Sequence, residues 1–430
     1  MKWYCLFVLC FSGIVVFAQN YTKYIVGDTN DVTTACQYRI TLMGGASEHD
    51  SAAKWFLEGA AGGDVVVLRT SGADGYNSYF YSGLGVTVNS VETIVMHNAL
   101  AAYEPYVINR IKNAEALWFA GGNQWEYVSY WNNTPVDSAI HYLIHVKKAS
   151  IGGTSAGMAI QGGIVFTAQY GTISSSTALN NPYHTNVTLL KHDFIHHPLL
   201  ENVITDTHYD SPDRRGRHTT FIARVMHEDN IDTYGIACDE YTAVCIDSTG
   251  IARVYGEYPT YNDFAYFIQP NCVMPNTPEV CSPGMPLTWN RSAQALKVCK
   301  IPGTNTGNHT FNLNDWKTHT GGTWEDWYVL TGTLYTVAGS PPNCTTELQS
   351  VLSNTDIDWE IYPNPAQEQI YLHLPTAGQI KIYDTLGQLK YQQELPKGIH
   401  AIDLTSLSAG IYNITFQTHS CIFYKKFWIK

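Results

Sequence analysis

Residues 151 to 157, Ile-Gly-Gly-Thr-Ser-Ala-Gly, place a serine at the centre of a GxSxG turn. A short apolar approach from Lys147 to Ile151 precedes it, and the small, helix-compatible run Met158-Ala159-Ile160 follows. Such a turn drives its central residue into a strained backbone conformation at the top of a strand, and only neighbours without bulk let the chain pass so tightly. Gly153, Ala156 and Gly157 meet that need around Ser155. The turn also sets the Ala156 amide at a helix start, where free N–H groups and the helix dipole face a developing oxyanion. The chemistry implied is nucleophilic attack on a carbonyl. A glycine-rich β-to-α turn with a capping serine would use the same residues with no chemistry at all, so the rest of the chain decides.

A serine nucleophile needs a base within hydrogen-bond reach, and histidine is the usual one. The stretch from Asp206 to Arg217, Asp-Thr-His-Tyr-Asp-Ser-Pro-Asp-Arg-Arg-Gly-Arg, supplies His208 as that candidate. The arginines beside it are suited to clamp a substrate carboxylate bidentately; a solvated polar loop is the plain alternative.

The elements that must position these groups are legible between residues 38 and 255. Arg39 to Met43, Val65 to Arg69, Glu92 to Met96, Ala116 to Phe119 and Ser150 to Gly152 read as strands. Ser51 to Ala61, Ala102 to Lys112 and Val136 to Lys148 read as helices between them. Repeated β-then-α units predict an α/β fold, a parallel sheet flanked by helices, with its active site at the carboxyl ends of the strands. Gly44-Gly45, Gly121-Gly122-Asn123-Gln124 and the Ser155 turn each follow a predicted strand and therefore line one sheet edge.

The chain has 430 residues, 45% hydrophobic, enough for two or three domains. Its 25 basic against 37 acidic residues, a net charge of −12, argue against binding nucleic acid by phosphate neutralisation. Lys2, the apolar run Trp3 to Phe17 and the small-residue end at Ala18 read as a signal peptide over residues 1–18. No other segment approaches the apolar length of a membrane span, so the mature chain is expected to have none. Cleavage would leave Cys36, Cys238, Cys245, Cys272, Cys281, Cys299, Cys344 and Cys421 in an oxidising compartment. Disulfides are expected there, with Cys238/Cys245 and Cys272/Cys281 the nearest pairs in sequence. The run His192-Asp193-Phe194-Ile195-His196-His197 has the density of a zinc site, but Pro198 follows at once and a third ligand is undefined. It reads rather as a polar surface loop, and no metal or cofactor is expected.

Taken together these pieces resemble the cyanophycinase and dipeptidase E clan of serine exopeptidases, whose domain looks like the class I glutamine amidotransferase fold. The carriers are the GGTSAG turn, FAGGNQ at 119 to 124, the 206 to 217 stretch, and GIACDEYTA at 235 to 243. The resemblance implies Ser155 as nucleophile and His208 as base, with the amides of Gly45 and Ala156 receiving the oxyanion. It further implies Gln124 and Asp206 in the substrate pocket and Arg214 and Arg217 as substrate anchors, in a hydrolase of peptide or isopeptide bonds such as β-linked Asp-Arg. Pro212 stands where the clan has a first arginine after the histidine, so that contact is either lost or moved to Arg215. No Asp or Glu occurs between Ser155 and Asp193, where the clan carries a triad acid. Either another carboxylate, such as Asp193, Glu201 or Glu240, swings in, or a neutral acceptor orients His208; a scaffold without a working acid, retained as a surface binding protein, is the alternative reading.

Residues 255 to 340 are rich in Tyr, Trp, Pro and Cys and are read as strands and loops closing the catalytic domain, residues 19–340. Ser340-Pro341-Pro342-Asn343 opens a polar linker over 341–358. From Trp359 onward short alternating strands predict a small all-β sandwich over 359–430. YPNPA at 362, IKIYDTLGQ at 380, IDLTSLSAGIYNI at 402 and the closing Lys425-Lys426-Phe427 resemble the type IX secretion sorting domain. That resemblance implies the type IX machinery as a partner, and a secreted or outer-membrane-attached protein of a Gram-negative bacterium.

Overall fold

The computed structural model describes residues 19–343, 359–384, 388–418 and 422–430. The expected signal peptide and most of the expected linker lie outside them. The chain divides into two units, residues 1–343 and 344–430.

The first unit is built on two mixed sheets. Its strands are β1 Tyr21–Gly27, β2 Arg39–Met43, β3 Asp64–Arg69, β4 Ser90–Met96, β5 Ala116–Phe119, β6 Ser150–Thr154, β7 Ile164–Phe166, β8 Leu189–Lys191 and β9 Val203–Asp206. There follow β10 Tyr234–Cys238, β11 Ala243–Asp247, β12 Ile251–Tyr255, β13 Phe264–Pro270, β14 Leu296–Pro302, β15 His309–Asn312, β16 Thr323–Leu330 and β17 Thr333–Ala338. One sheet runs β1-β4-β3-β5-β6-β2-β11-β12-β15, and the other β17-β16-β14-β13-β10-β9-β7-β8. Within the first, β4, β3, β5, β6 and β2 are mutually parallel, which is the α/β core that the sequence pattern predicts.

The near-continuous apolar run of β3, Asp-Val-Val-Val-Leu-Arg, is what a parallel strand covered on both faces requires. Alternation along it settles the two faces. Val66 and Leu68 pack with Val107, Ile111, Trp131 and Ile140 of the helices Pro105–Asn113, Gln124–Trp131 and Pro135–Tyr142. Val65 and Val67 pack on the other side with Phe56 and Leu57 of the helix Asp50–Glu58. The predicted helix Val136 to Lys148 ends early: it is α-helical over Pro135–Tyr142 and then widens into a π turn over Leu143–Lys147.

The second sheet is the part that sequence patterning describes only as closing strands. Its β7, β9 and β10 are parallel, and antiparallel strands extend both sides. The helix Arg215–Asp229 covers one face through Phe221, Ile222 and Val225. The apolar residues of β2, β10, β11, β13 and β14 join the two sheets in one core. That packing also corrects the two expected pairings, Cys238/Cys245 and Cys272/Cys281. Cys238 faces this inter-sheet core while Cys245 points into the opposite face of the first sheet, and both carry free thiols. Cys281 is likewise a buried free thiol, so Cys272/Cys281 is not formed.

The second unit is all β. β18 Glu360–Tyr362, β19 Gln369–Leu374 and β22 Gly398–Asp403 form one sheet; β20 Gly378–Tyr383, β21 Leu389–Leu395, β23 Gly410–Gln417 and β24 Ile422–Ile429 form another. Trp359, Ile370, Leu372, Ile380, Ile414 and Phe427 fill its core. Among the described residues no helix is long and apolar enough to cross a membrane.

Candidate active site

The three glycine turns follow β2, β5 and β6, which are adjacent in the order β5-β6-β2, and so share one sheet edge. Met43 and Thr154 are register partners at the ends of β2 and β6. The next residue, Ser155, donates its amide to the Met43 carbonyl at 3.0 Å and sits at φ 53°, ψ −118°. This is the strained turn that the sequence predicts. It closes only because Gly157 has no side chain: a Cβ there would lie 2.1 Å from the Phe119 carbonyl oxygen.

His208 arrives from the other sheet, after β9, and donates its amide to the Gly44 carbonyl at 2.8 Å. Its Nε2 is 2.8 Å from Ser155 Oγ, and its Nδ1 is 2.6 Å from Glu240 Oε1. An ionised carboxylate only accepts, which assigns the proton to Nδ1 and leaves the Nε2 lone pair facing the serine hydroxyl. Of the carboxylates left open by the sequence, Glu240 is therefore the one brought to the histidine. Glu201 lies 3.7 Å from His196, and Asp193 accepts from Asn132 at 3.3 Å. The signal that singles out Glu240 is topological: β9 and β10 are parallel neighbours with Asp206 opposite Ala237, so the turns after both strands emerge at one edge.

Gly45, at φ 105°, approaches the same place; a Cβ on it would fall 2.4 Å from His208 Nε2. Neither the Gly45 nor the Ala156 amide has a hydrogen-bond acceptor among the described residues. The helix that begins at Ala156 ends at Ala159, so what it offers is a free amide and not the dipole of a long helix.

The remaining expected site residues divide. Asp206 and Arg217 are brought together as a buried ion pair, with Arg217 Nε 2.8 Å from Asp206 Oδ2 and Arg217 Nη1 2.9 Å from Thr172 Oγ1. Burial works against the Asp206 charge, but the Arg217 guanidinium outweighs it and holds the carboxyl below its ordinary range. Gln124 turns its amide to the Phe166 carbonyl. Arg215 pairs with Asp213 at 2.6 Å. Arg214, half-buried between the Asp206–Arg217 pair and the carboxylates of Glu240 and Asp210, has no ion pair among the described residues. Burial, then the Arg217 charge, lower its pKa from the ordinary value. A hollow of about 740 Å³ lies beside the Gly45 loop, walled by Glu48, Asp50, Lys54, Tyr241, Glu257 and Asp263.

In the histidine-rich loop, His197 is fully buried with its Nδ1 2.9 Å from Tyr38 Oη, and burial followed by its histidine neighbours pushes its pKa down to about 3. Among the described residues no group of His, Cys, Asp or Glu is disposed to hold a metal ion.

Residues 360–430 match the family described as secretion system C-terminal sorting domain, which marks the chain for the type IX secretion system. Over 171 residues, 40% of this chain, the protein is 24% identical to cyanophycinases of Synechococcus elongatus and Thermosynechococcus vestitus. The chain spans about half the length of these curated relatives, 48% of each. Similar solved structures include a peptidase from an acI-B1 Actinobacterium, at 16% identity and TM-score 0.39, covering 51% of this chain and 88% of that one. A putative peptidase E protein from Listeria monocytogenes is similar at 14% identity and TM-score 0.33, covering 52% of this chain and 100% of that one.

Proposed function

We propose that this protein is an exported serine hydrolase of peptide or isopeptide bonds. The observation that carries the reading is the unbroken line Ser155 Oγ, His208, Glu240, at 2.8 and 2.6 Å, with two unengaged amides beside it. In this reading Ser155 Oγ attacks the scissile carbonyl carbon while His208 Nε2 takes its proton, and Glu240 stabilises the imidazolium that forms. The carbonyl oxygen, now an oxyanion, is received by the Gly45 and Ala156 amides. His208 then protonates the leaving amine, and water, deprotonated by the same imidazole, releases the acyl group from Ser155.

For substrate recognition, Arg214 is the guanidinium still free to clamp a carboxylate. The buried Asp206–Arg217 pair lies beside it and supports its position. An acyl donor carrying an acidic group, such as an Asp-containing peptide or a β-linked Asp-Arg dipeptide, fits such a site, and distant similarity to cyanophycinase points the same way. The sorting domain and the expected signal peptide make the cell surface or the surrounding medium the place of action. The alternative, a scaffold kept only for binding, is disfavoured by the 2.6 Å contact of Glu240 with His208, which offers the orienting acid that a hydrolase needs.

Labelling with a fluorophosphonate tests the reading. A stoichiometric adduct on Ser155 in folded protein, abolished in Ser155→Ala, is the expected result; no adduct on folded wild-type protein overturns it.

A further inference from the structure

We propose that Asp210 is a positioning residue of this site: its carboxylate grips the main chain of Glu240 and so keeps the Glu240 side chain on His208. The proposal rests on the hydrolase reading above for its consequence, but the contact itself does not. Asp210 Oδ1 accepts the Glu240 amide at 2.9 Å, across 30 residues of sequence. Asp210 stands two residues after His208, so one short loop presents the base and holds the acid that orients it.

The flanking residues of the Glu240 turn are tied elsewhere: Asp239 exchanges hydrogen bonds with the main chain of Phe264 in β13, and the following residues are tied to the end of β2. Tyr241, at φ 61°, donates its amide to the Gly45 carbonyl at 3.1 Å, and the Gly44 amide donates to the Thr242 carbonyl at 2.9 Å. These fix the far half of the turn to the loop carrying the oxyanion amide. The Glu240 amide itself is held by Asp210.

Glutamate needs such a clamp more than aspartate would. It has one more rotatable bond, the Glu240 side chain is 26% exposed, and ordering a long partly solvated side chain costs conformational entropy. Fixing the main chain removes part of that freedom before the imidazole is met. Asp239, the neighbour on the other side, is buried, and burial followed by the Asp210 charge pushes its pKa up to about 8. At neutral pH it is protonated and adds no charge to compete with Asp210 or Glu240. Arg214 faces Asp210 and Glu240, and Lys300 of β14 and Asp263, next to β13, face Asp239.

Two substitutions in the full chain test the proposal. Asp210→Ala removes the acceptor, while Asp210→Asn keeps an acceptor oxygen and removes the charge. Two readouts are taken: kcat and KM on the best peptide from a substrate library, and the far-downfield proton NMR signal of the His208 Nδ1–H shared with Glu240, assigned by its loss in Glu240→Ala. Asp210→Ala is expected to lower kcat by about 10- to 100-fold, the scale of a sub-ångström to ångström misplacement, with KM nearly unchanged. The NMR signal should broaden or vanish in Asp210→Ala, and Asp210→Asn should restore most of both properties. A downfield signal in Asp210→Ala identical to that of the wild type overturns the proposal, whatever the activity. Equal loss of signal in both variants also overturns it, since charge and not the grip would then be responsible. If no form of the protein hydrolyses any peptide while the signal behaves as expected, the positioning role stands and the hydrolase reading falls.

Discussion

Ser155 and His208, whose side chains meet at 2.8 Å, both stand at positive φ, 53° and 46°, and both hang from consecutive carbonyls at the end of β2, Met43 and Gly44. Left-handed conformations cost of order 1–3 kcal/mol for residues with side chains and persist only where the surroundings over-determine them. Here a strand end of one sheet receives the Ser155 turn of its own sheet and the His208 loop of the other. The two halves of the site are thereby fixed to one another by main chain, before any side chain is considered.

Glu240 is the first group to test. Glu240→Gln keeps the side-chain shape but can donate to Nδ1, which favours the wrong imidazole tautomer. It should lower kcat by about 10⁴-fold with little change in KM, the scale of loss when a triad's orienting acid is replaced. Steady-state kinetics on a library-derived peptide measures this. Wild-type kcat in Glu240→Gln would remove Glu240 from the reaction.

Gly45→Ala should separate catalysis from folding. The added methyl group would stand 2.4 Å from His208 Nε2, at the proposed place of the oxyanion. A loss in kcat of about 100-fold or more is expected, the scale of a lost oxyanion donor. Gly62→Ala is the control, because Gly62 has a similar φ of 84° but open space around its Cβ position. It should lower Tm through backbone strain and leave kcat unchanged. Equal kcat losses in both variants would mean that general destabilisation, not the site, is being read.

Arg214 and Arg217, three residues apart, should behave as different kinds of residue. Arg217→Ala leaves the Asp206 carboxylate buried without its cation, and breaking a buried pair in this way costs about 3–5 kcal/mol. Arg214→Ala removes a guanidinium with no ion pair of its own, so Tm should hold while KM rises for substrates bearing a carboxylate. Thermal melts and kinetics on matched acidic and amidated peptides check both. A fall in Tm for Arg214→Ala as large as that for Arg217→Ala would contradict the assignment.

How far the sequence carries these conclusions depends on whether the information is local. The Ser155 turn, the parallel strands and the edge they share are written in short patterns of glycine and apolar residues, and the all-β C-terminal unit is equally plain in its alternation. The acid partner of His208 is not local: Glu240 reaches the histidine only because β9 and β10 pair in parallel in a second sheet, and 32 residues of sequence say nothing about that pairing. The same holds for the thiols. Cys238 and Cys245 are close in sequence yet face opposite sides of a sheet layer, a consequence of strand placement that spacing does not encode.

Stability should depend on pH with opposite slopes on the two sides of a maximum. Burial pushes His197 and His218 down to about 3 and about 4, against 6.5 for a free histidine. Below about pH 6.5 the unfolded chain takes up protons that the folded one refuses, so stability is lost as pH falls. Asp239, pushed up to about 8 by burial, keeps a proton in the folded state that the unfolded state gives up near pH 4. Its contribution therefore declines as pH rises from about 4 to about 8 and then levels. Melting curves between pH 4 and 9 should show this shape. Asp239→Asn should flatten the alkaline side; an unaltered alkaline slope in that variant would assign the decline elsewhere.

Trafficking and chemistry should separate at the boundary between the two units. The chain divides at residue 343, β17 ends at Ala338, and the C-terminal unit has its own core around Trp359, Ile414 and Phe427. A chain ending near residue 340 should therefore fold, keep the kcat and KM of the full protein, and be absent from the cell surface of the native host. Cys344 and Cys421 lie outside the described residues, and a bridge from either to the first unit would change the outcome: removing a native disulfide costs about 2–5 kcal/mol. Melts of the full and truncated proteins with and without reductant distinguish the cases. Equal Tm values under oxidising conditions support two independent folding units. A truncated chain that fails to fold there shows that the two units are one cooperative structure and that the boundary is misplaced.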